Sequence, residues 1–589
     1  MKKMKKLFAV LLTLAMMLGM SATVFAAPQN EDLIPRPQDT VNVTINGVGE
    51  GAAVTLYKIV KADYATNDMG LTGYTAVEGV DLASLANQPT SQTINQIANG
   101  LLSEAGAEGH IAAYETITDG TVVNGTYTKD VAAGVYIAII SKAADGTIYN
   151  PILLTAAYAP EGGENNAASQ LVGGAVSTGD HYLWGATAVA KSTKPGIDKE
   201  ITGGTTEDTT MPEDTSKATA SIGDKIDFKV TPTVPSYPTD AVNKTFFISD
   251  NMDKGLTFDY ETLEIAISGK EVTKRVSGDV TEFVMDGKVI AKSVKTENGF
   301  NLAFQYDNLI SDATTGSIYT PVVTYSAIVN ENATIGINPN TNTAELFYAN
   351  QPNKGSSYDD PNEKPDPQKD ETISKEEDKE TVYTYRLAFM KTDDAQTDPK
   401  PLAGAVFGIY DEAGNLVDVV TTNEKGYAES TNVKAGTYTV KELVAPDGYT
   451  LNTTEYKITA SWAMATTVVT GTVTNCEYTS EQNESLDGVQ VGWLKGNQFY
   501  AMDEFTGEEE GVVKAYVKKT STTSTSMTEV VENKEGAGVS MMKEAIPNTK
   551  LTNLPSTGGI GTTIFTIGGC LIMVVAAGLF FASRRKSAK

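Results

Sequence analysis

Cysteine and histidine are nearly missing, with two of each in 589 residues. Cys570 lies in an apolar run near the C-terminus, so Cys476 stands alone in the remainder and cannot close an internal disulfide. His110 and His181 are too few and too scattered for a zinc cluster or a nucleophile–base pair. No Walker loop, dinucleotide fingerprint or EF-hand loop is present. Asp359-Asp360 and Glu376-Glu377-Asp378 read as solvated charge, not calcium ligands. Basic residues are scarce too, 46 against 74 acidic, and eight of the 46 sit in the two end segments. Without those ends the net charge is near −36, a surface that repels nucleic-acid phosphates. No cofactor, metal or nucleic-acid partner is expected, and nothing supports turnover of an external substrate.

The ends are informative. Lys2, Lys3, Lys5 and Lys6 precede the apolar stretch Leu7 to Met20, and Val24-Phe25-Ala26 fits a cleavage site, so residues 1–26 read as an export signal. At the other end Leu554-Pro555-Ser556-Thr557-Gly558 is followed by Ile560 to Ala582 without a charge, then by Arg584-Arg585-Lys586. A membrane helix needs about 20 apolar residues, and a basic flank stays cytoplasmic. This order resembles the cell-wall sorting signal of Gram-positive surface proteins. The resemblance implies a sortase that cuts between Thr557 and Gly558, and a peptidoglycan precursor as a final acceptor. An ordinary single-pass anchor with an accidental LPSTG is the alternative.

Between the ends, Val, Thr, Tyr and Ile alternate in short runs separated by Gly, Asn and Asp, the pattern of all-β sandwiches. The stretch Ser91 to Ala105 is the best helical segment. We read a first β-sandwich domain at 27–190, a middle domain at 191–352, an acidic linker or extended loop at 353–380 and a third domain at 381–550. The third carries an insertion at about 477–538, and the sorting signal occupies 551–589. A weak repeat links the first and third domains. Gly51-Ala52-Ala53-Val54 echoes Ala403-Gly404-Ala405-Val406, and Ala133-Gly134-Val135-Tyr136 echoes Ala435-Gly436-Thr437-Tyr438.

Two lysines fall on the wrong face. Alternate residues of a strand share a side, so Lys199 points with Ile197 and Ile201, and Lys391 with Leu387 and Phe389. Lysine is almost never buried unpaired. Each domain supplies an acid and an amide placed the same way. Asp250 aligns with Phe246 and Ile248, and Asn342 with Ala344 and Leu346. Glu442 aligns with Tyr438 and Val440, and Asn548 with Ile546. Burial favours the neutral forms of both amine and carboxyl. A neutral amine can attack a carboxamide carbon while a protonated acid bonds the developing oxyanion and shuttles protons. The product is a Lys–Asn isopeptide bond and ammonia, formed once per molecule. A buried salt bridge with a hydrogen-bonded Asn fits the same residues. Asn475 rivals Asn548, and Asp253 rivals Asp250, although Asp253 reads better as a turn residue beside Lys254-Gly255.

These segments resemble the isopeptide-forming backbone pilins of Gram-positive bacteria. Lys391-Thr392-Asp393, Pro401-Leu402-Ala403-Gly404-Ala405 and the run from Tyr438 to Tyr449 are similar to the Cna B-type repeat, and Ile546-Pro547-Asn548 to its final strand. Pro195-Gly196-Ile197-Asp198-Lys199, Asp250 before Lys254 to Phe258, and Asn342-Thr343-Ala344 resemble the family's middle domain. The resemblance implies tandem immunoglobulin-like and Cna B-type sandwiches joined head to tail by a pilus sortase, with neighbouring subunits as partners. It also implies a lysine between the first and second domains that attacks the Thr557 thioester. Lys191 occupies that place, without the family's Tyr and Pro before it, and Lys194 is the alternative. The first domain lacks a triad: Ile140 stands where Glu442 does, and Val41 to Ile45 contains no lysine. The expected protein is thus a major pilin. A wall-linked monomeric or minor-pilin adhesin and a secreted hydrolase with a sorting tail are the alternatives; no host ligand can be named.

Overall fold

A computed structural model describes residues 24–25 and 34–550, apart from 67–69, 87–88, 142, 144, 161–170, 172–180, 214, 239, 313–316, 464–465, 486–487, 497, 501, 503 and 531–537. Side chains of 466–477 and 519–530 are likewise outside the description. The export signal apart from Val24–Phe25, Leu554 to Gly558 and the Ile560 to Ala582 run all lie outside the described residues.

In the first domain, side-chain alternation builds two cores on one sheet. Along Gly134–Ser141, Tyr136, Ala138 and Ile140 join Val43, Ile45, Leu56 and Leu154 on one side. Val135 and Ile137 face the other, where Ile97, Ala98 and Leu101 of the helix Ser91–Leu102 cover them. That helix starts where Thr90 Oγ1 accepts the Thr93 N–H at 3.1 Å, an N-cap. The strand Tyr182–Val189 pairs antiparallel with Ile152–Ala159 and then parallel with Thr40–Asn46. Through it the domain closes as one ten-stranded sheet. The repeat with the third domain is physical: Tyr136 Oη donates to Ala132 O at 2.7 Å, and Tyr438 Oη to Lys434 O at 2.9 Å.

The middle domain packs a four-stranded sheet, Gly196–Gly203, Lys225–Thr233, Pro321–Val329 and Leu256–Ile267, on a seven-stranded one. The larger sheet places Phe246–Met252 and Asn340–Ala349 side by side. Phe228, Phe258, Phe300 and Tyr325 form an aromatic cluster between the two.

The reading of 353–380 as an acidic linker is corrected here. Ile373–Val382 pairs along its whole length with Asn340–Ala349 and is the outer strand of the seven-stranded sheet. The stretch before it is a strap: Tyr358 and Ile373 cover Phe247 and Phe347 on the sheet's outer face. Polar bonds hold it, among them Lys244 N–H to Ser357 Oγ at 2.8 Å and Asn301 Nδ2 to Pro361 O at 3.1 Å. Polarity suggested a solvated tether, but here the polar groups find partners on the sheet. The middle domain therefore runs on to about Val382.

In the third domain, Arg386–Asp393 lies parallel to Val539–Met541 and then to Ile546–Asn548. The facing sheet is Leu416–Thr421, Val406–Tyr410, Gly436–Val444 and Glu455–Ala460. The insertion begins earlier than expected. Thr466–Thr479 and Val512–Val530 form one long hairpin, carrying a head in which Tyr478 stacks on Phe499 at 4.1 Å.

Both joints are bonded. Asn353 Nδ2 donates to Asn99 Oδ1 of the first domain at 2.6 Å, and Tyr348 Oη to Gly146 O at 2.9 Å. Asp208, buried at the second joint, accepts from Tyr385 Oη and the Trp462 N–H, each at 2.7 Å.

Candidate functional site: two buried lysine, acid and amide sets

Lys199 and Lys391 are the only buried lysines among the described residues, at 2% and 0% exposure. The partners expected from alternation are buried with them: Asp250, Asn342, Glu442 and Asn548.

In the middle domain the lysine comes from one sheet, and the acid and amide from the other. Asp250 and Asn342 sit on adjacent strands, where Asp250 pairs with Ala344 and Met252 with Asn342. Lys199 Nζ donates to Asp250 Oδ2 at 2.5 Å and to Tyr325 Oη. It also lies 5.1 Å from the ring centroids of Phe228 and Tyr325. Tyr325 Oη donates to Asp250 Oδ2 and accepts from Asn342 Nδ2 at 3.3 Å. The Lys199 N–H is held at 2.8 Å by Asp378, from the strand Ile373–Val382. Burial pushes the Lys199 amine below its usual range and the Asp250 carboxyl above its own, against their mutual attraction. Asp250 Oδ1 and Asn342 Oδ1 are buried with no hydrogen-bond partner. Asp253 is the turn residue its sequence suggested, accepting the Thr341 N–H at 2.8 Å.

In the third domain the lysine and the amide share a sheet and the acid faces them. Lys391 pairs with Ile546, and Asp393 with Asn548, on neighbouring parallel strands. Asn548 Nδ2 lies 2.9 and 3.0 Å from the two Glu442 oxygens. Lys391 Nζ is 4.0 Å from Glu442 Oε1 and donates instead to the Ile546 carbonyl at 2.8 Å. Burial brings the Lys391 amine down to about 8 and raises the Glu442 carboxyl. Glu442 also accepts the Asn452 N–H at 2.6 Å. Asn548 Oδ1 has no partner. The rival Asn475 stands on the hairpin strand, opposite Ser521, outside both sheets of this domain.

Two contributors escaped sequence reasoning. Tyr325 alternates with Val323 and Ala327 as any core aromatic would, and Asn452 follows a turn. No lysine of the first domain is buried among the described residues; Ile140 is in the core and Lys58 is half-buried over the Tyr136 ring at 5.6 Å. Lys191 is exposed at the joint. Lys194 faces Asp145 at 3.6 Å on a cleft of about 860 Å³ that Tyr348 and Glu376 also line.

Comparison with known proteins sets this architecture in a class, the surface pilins of Gram-positive bacteria. Residues 38–192 match the T6 antigen Ig-like domain, 386–475 the prealbumin-like fold domain and 546–589 the LPXTG cell wall anchor motif. The trypsin-resistant surface T6 protein of Streptococcus pyogenes serotype M6 is 41% identical over 553 residues, covering 93% of this chain and 96% of that one. The solved T6 backbone pilin of serotype M6 S. pyogenes superposes with TM-score 0.65 at 38% identity, covering 87% of this chain and 99% of that one. The full-length major pilin SpaD of Corynebacterium diphtheriae matches at 16% identity and TM-score 0.41, covering 70% and 89%. The chain belongs to the T6 backbone-pilin family. It is a structural subunit of a sortase-linked surface pilus, extracellular and attached to the cell wall.

Proposed function

We propose that this subunit staples itself internally, through isopeptide bonds Lys199–Asn342 and Lys391–Asn548. Asp250 and Glu442 act as the promoting acids, in one turnover each. The carrying observation is selectivity: the only two buried lysines among the described residues each sit with one buried carboxyl and one buried carboxamide. Holding such groups in contact raises their effective concentration by about 10⁵ M or more. Each bond expels one ammonia, so the exported chain should be lighter than its composition by about 34 Da. Intact mass spectrometry tests this; a mass equal to composition would sink the proposal.

For assembly, the sortase cuts between Thr557 and Gly558, and Lys191 of the next subunit attacks the Thr557 acyl group. A peptidoglycan precursor takes the place of that lysine at the base. The second reading, Lys194, is favoured by its position on the joint cleft beside Asp145. Wall extracts of Lys191→Ala and Lys194→Ala strains separate the two, since the ladder of high-mass species should vanish in one. A ladder persisting in the double variant would remove both.

A further inference from the structure

The two sets differ in one respect that bears on proton traffic. In the third domain the carboxyl touches the leaving nitrogen directly, with Asn548 Nδ2 at 2.9 and 3.0 Å from the Glu442 oxygens. In the middle domain the carboxyl touches the lysine, and the phenol of Tyr325 bridges it to Asn342 Nδ2, while the Asn342 side chain also helps to hold the carboxyl's charge. A phenolic oxygen has one proton to give and two lone pairs. Tyr325 uses all three on the reacting groups: it donates to Asp250 and accepts from Lys199 and from Asn342. Phe228 stacked at 5.6 Å, with Phe258 and Phe300 both edge-on at 5.7 and 5.1 Å, fixes the ring. Burial holds the phenol pKa well above its ordinary value, so the hydroxyl enters the reaction protonated.

Resting on the isopeptide reading above, we infer that Tyr325 is a catalytic residue of the middle domain, the relay that hands Asp250's proton to the departing ammonia. Neutral Lys199 Nζ attacks Asn342 Cγ, the Nζ–Cγ bond forms, and the C=O electron pair moves to Oδ1. Asp250, protonated at Oδ1, gives that proton to the developing oxyanion at Asn342 Oδ1 as its Oδ2 takes the surplus proton from Nζ. The amide nitrogen, now tetrahedral, gains a lone pair that it lacked as an amide, so its contact with Tyr325 reverses direction. Tyr325 then gives its proton to Nδ2 and takes one from Asp250 Oδ2, while the hydroxyl at Oδ1 returns its proton to Asp250 Oδ1 and the carbonyl re-forms. The Cγ–Nδ2 bond breaks and ammonia leaves. Asp250 and Tyr325 finish as they began, and Lys199 has lost one hydrogen to the ammonia. The third domain, where acid meets leaving group directly, needs no such relay.

The test is Tyr325→Phe, which keeps the ring and its packing. The whole exported chain is made by cell-free translation and sampled into acid over time. Digestion then yields the Lys199–Asn342 and Lys391–Asn548 cross-linked peptides, quantified side by side. The middle-domain bond should form about 10²-fold more slowly in the variant, as general acid–base contributions usually run, while the third-domain bond keeps its rate. Middle-domain rates within about twofold of one another would overturn the relay. Should the variant fold poorly, fluorotyrosine incorporated at 325 keeps the shape and lowers the phenol pKa. The pH–rate profile of the middle-domain bond should then shift, and an unmoved profile overturns the relay. Absence of the Lys199–Asn342 peptide from the unmodified chain is a different result, since it removes the bond itself.

Discussion

Asn342→Ala removes the middle domain's electrophile and leaves Lys199 against Asp250 at 2.5 Å. Lys199 keeps Asp250 as its partner, so the loss of stability reports the missing cross-link together with the cost of a freed amine in the core, and not an orphaned ion. The Lys199–Asn342 bond would close a loop of roughly 140 residues, for which the chain-entropy relation gives about 5 kcal/mol at 25 °C. A domain of this size loses about 2–4 °C of melting temperature per kcal/mol. The middle-domain transition should therefore fall by roughly 10–20 °C. Calorimetry of the exported chain measures it, and intact mass on the same sample should show only one ammonia missing, about 17 Da. A variant that melts within about 3 °C of the parent while the parent carries the bond would refute the entropic reasoning.

Further outcomes are expected. Glu442→Gln should leave Lys391 and Asn548 unjoined, visible as the missing cross-linked peptide, because the side chain beside Asn548 Nδ2 can no longer pass a proton. In Asn548→Ala, Lys391 stays free, and its amine titrates at about 8 when folded against 10.5 unfolded. The unfolded chain then holds more protons across that window, so stability should rise with pH from about 8 to about 10.5, by up to about 3 kcal/mol. Adding Lys391→Met should flatten that rise in melts at pH 7 and 10. Asp208→Ala strips the acceptor from Tyr385 Oη and the Trp462 N–H. It should weaken the joint between the second and third domains by about 2–4 kcal/mol, two unsatisfied donors, seen as earlier protease cutting there with both domain cores intact.

Much of the site was legible because it breaks a local rule. A lysine in phase with two isoleucines is conspicuous, and so is an Asp or Asn in phase with a hydrophobic strand. Tyr325 was invisible for the opposite reason, since tyrosine on a core face breaks nothing. The choice between Asn548 and Asn475 depends on parallel pairing of Arg386–Asp393 with the last strand, a contact between distant parts of the chain that no local pattern carries. The strap at 353–372 was misjudged because composition records how polar a segment is, not whether its polar groups meet water or a sheet.

The strap has a mechanical consequence. With both bonds in place, tension applied along the subunit enters at Lys199, leaps to Asn342, and later leaps from Lys391 to Asn548. The roughly 50 residues between Asn342 and Lys391 belong to neither closed loop. Asn342 lies opposite Glu380, so the force would peel the two antiparallel strands apart from one end, bond by bond. Paid out in full, that stretch could lengthen each subunit by up to about 170 Å while both welded cores stay shut: a fuse of fixed travel repeated along the fibre.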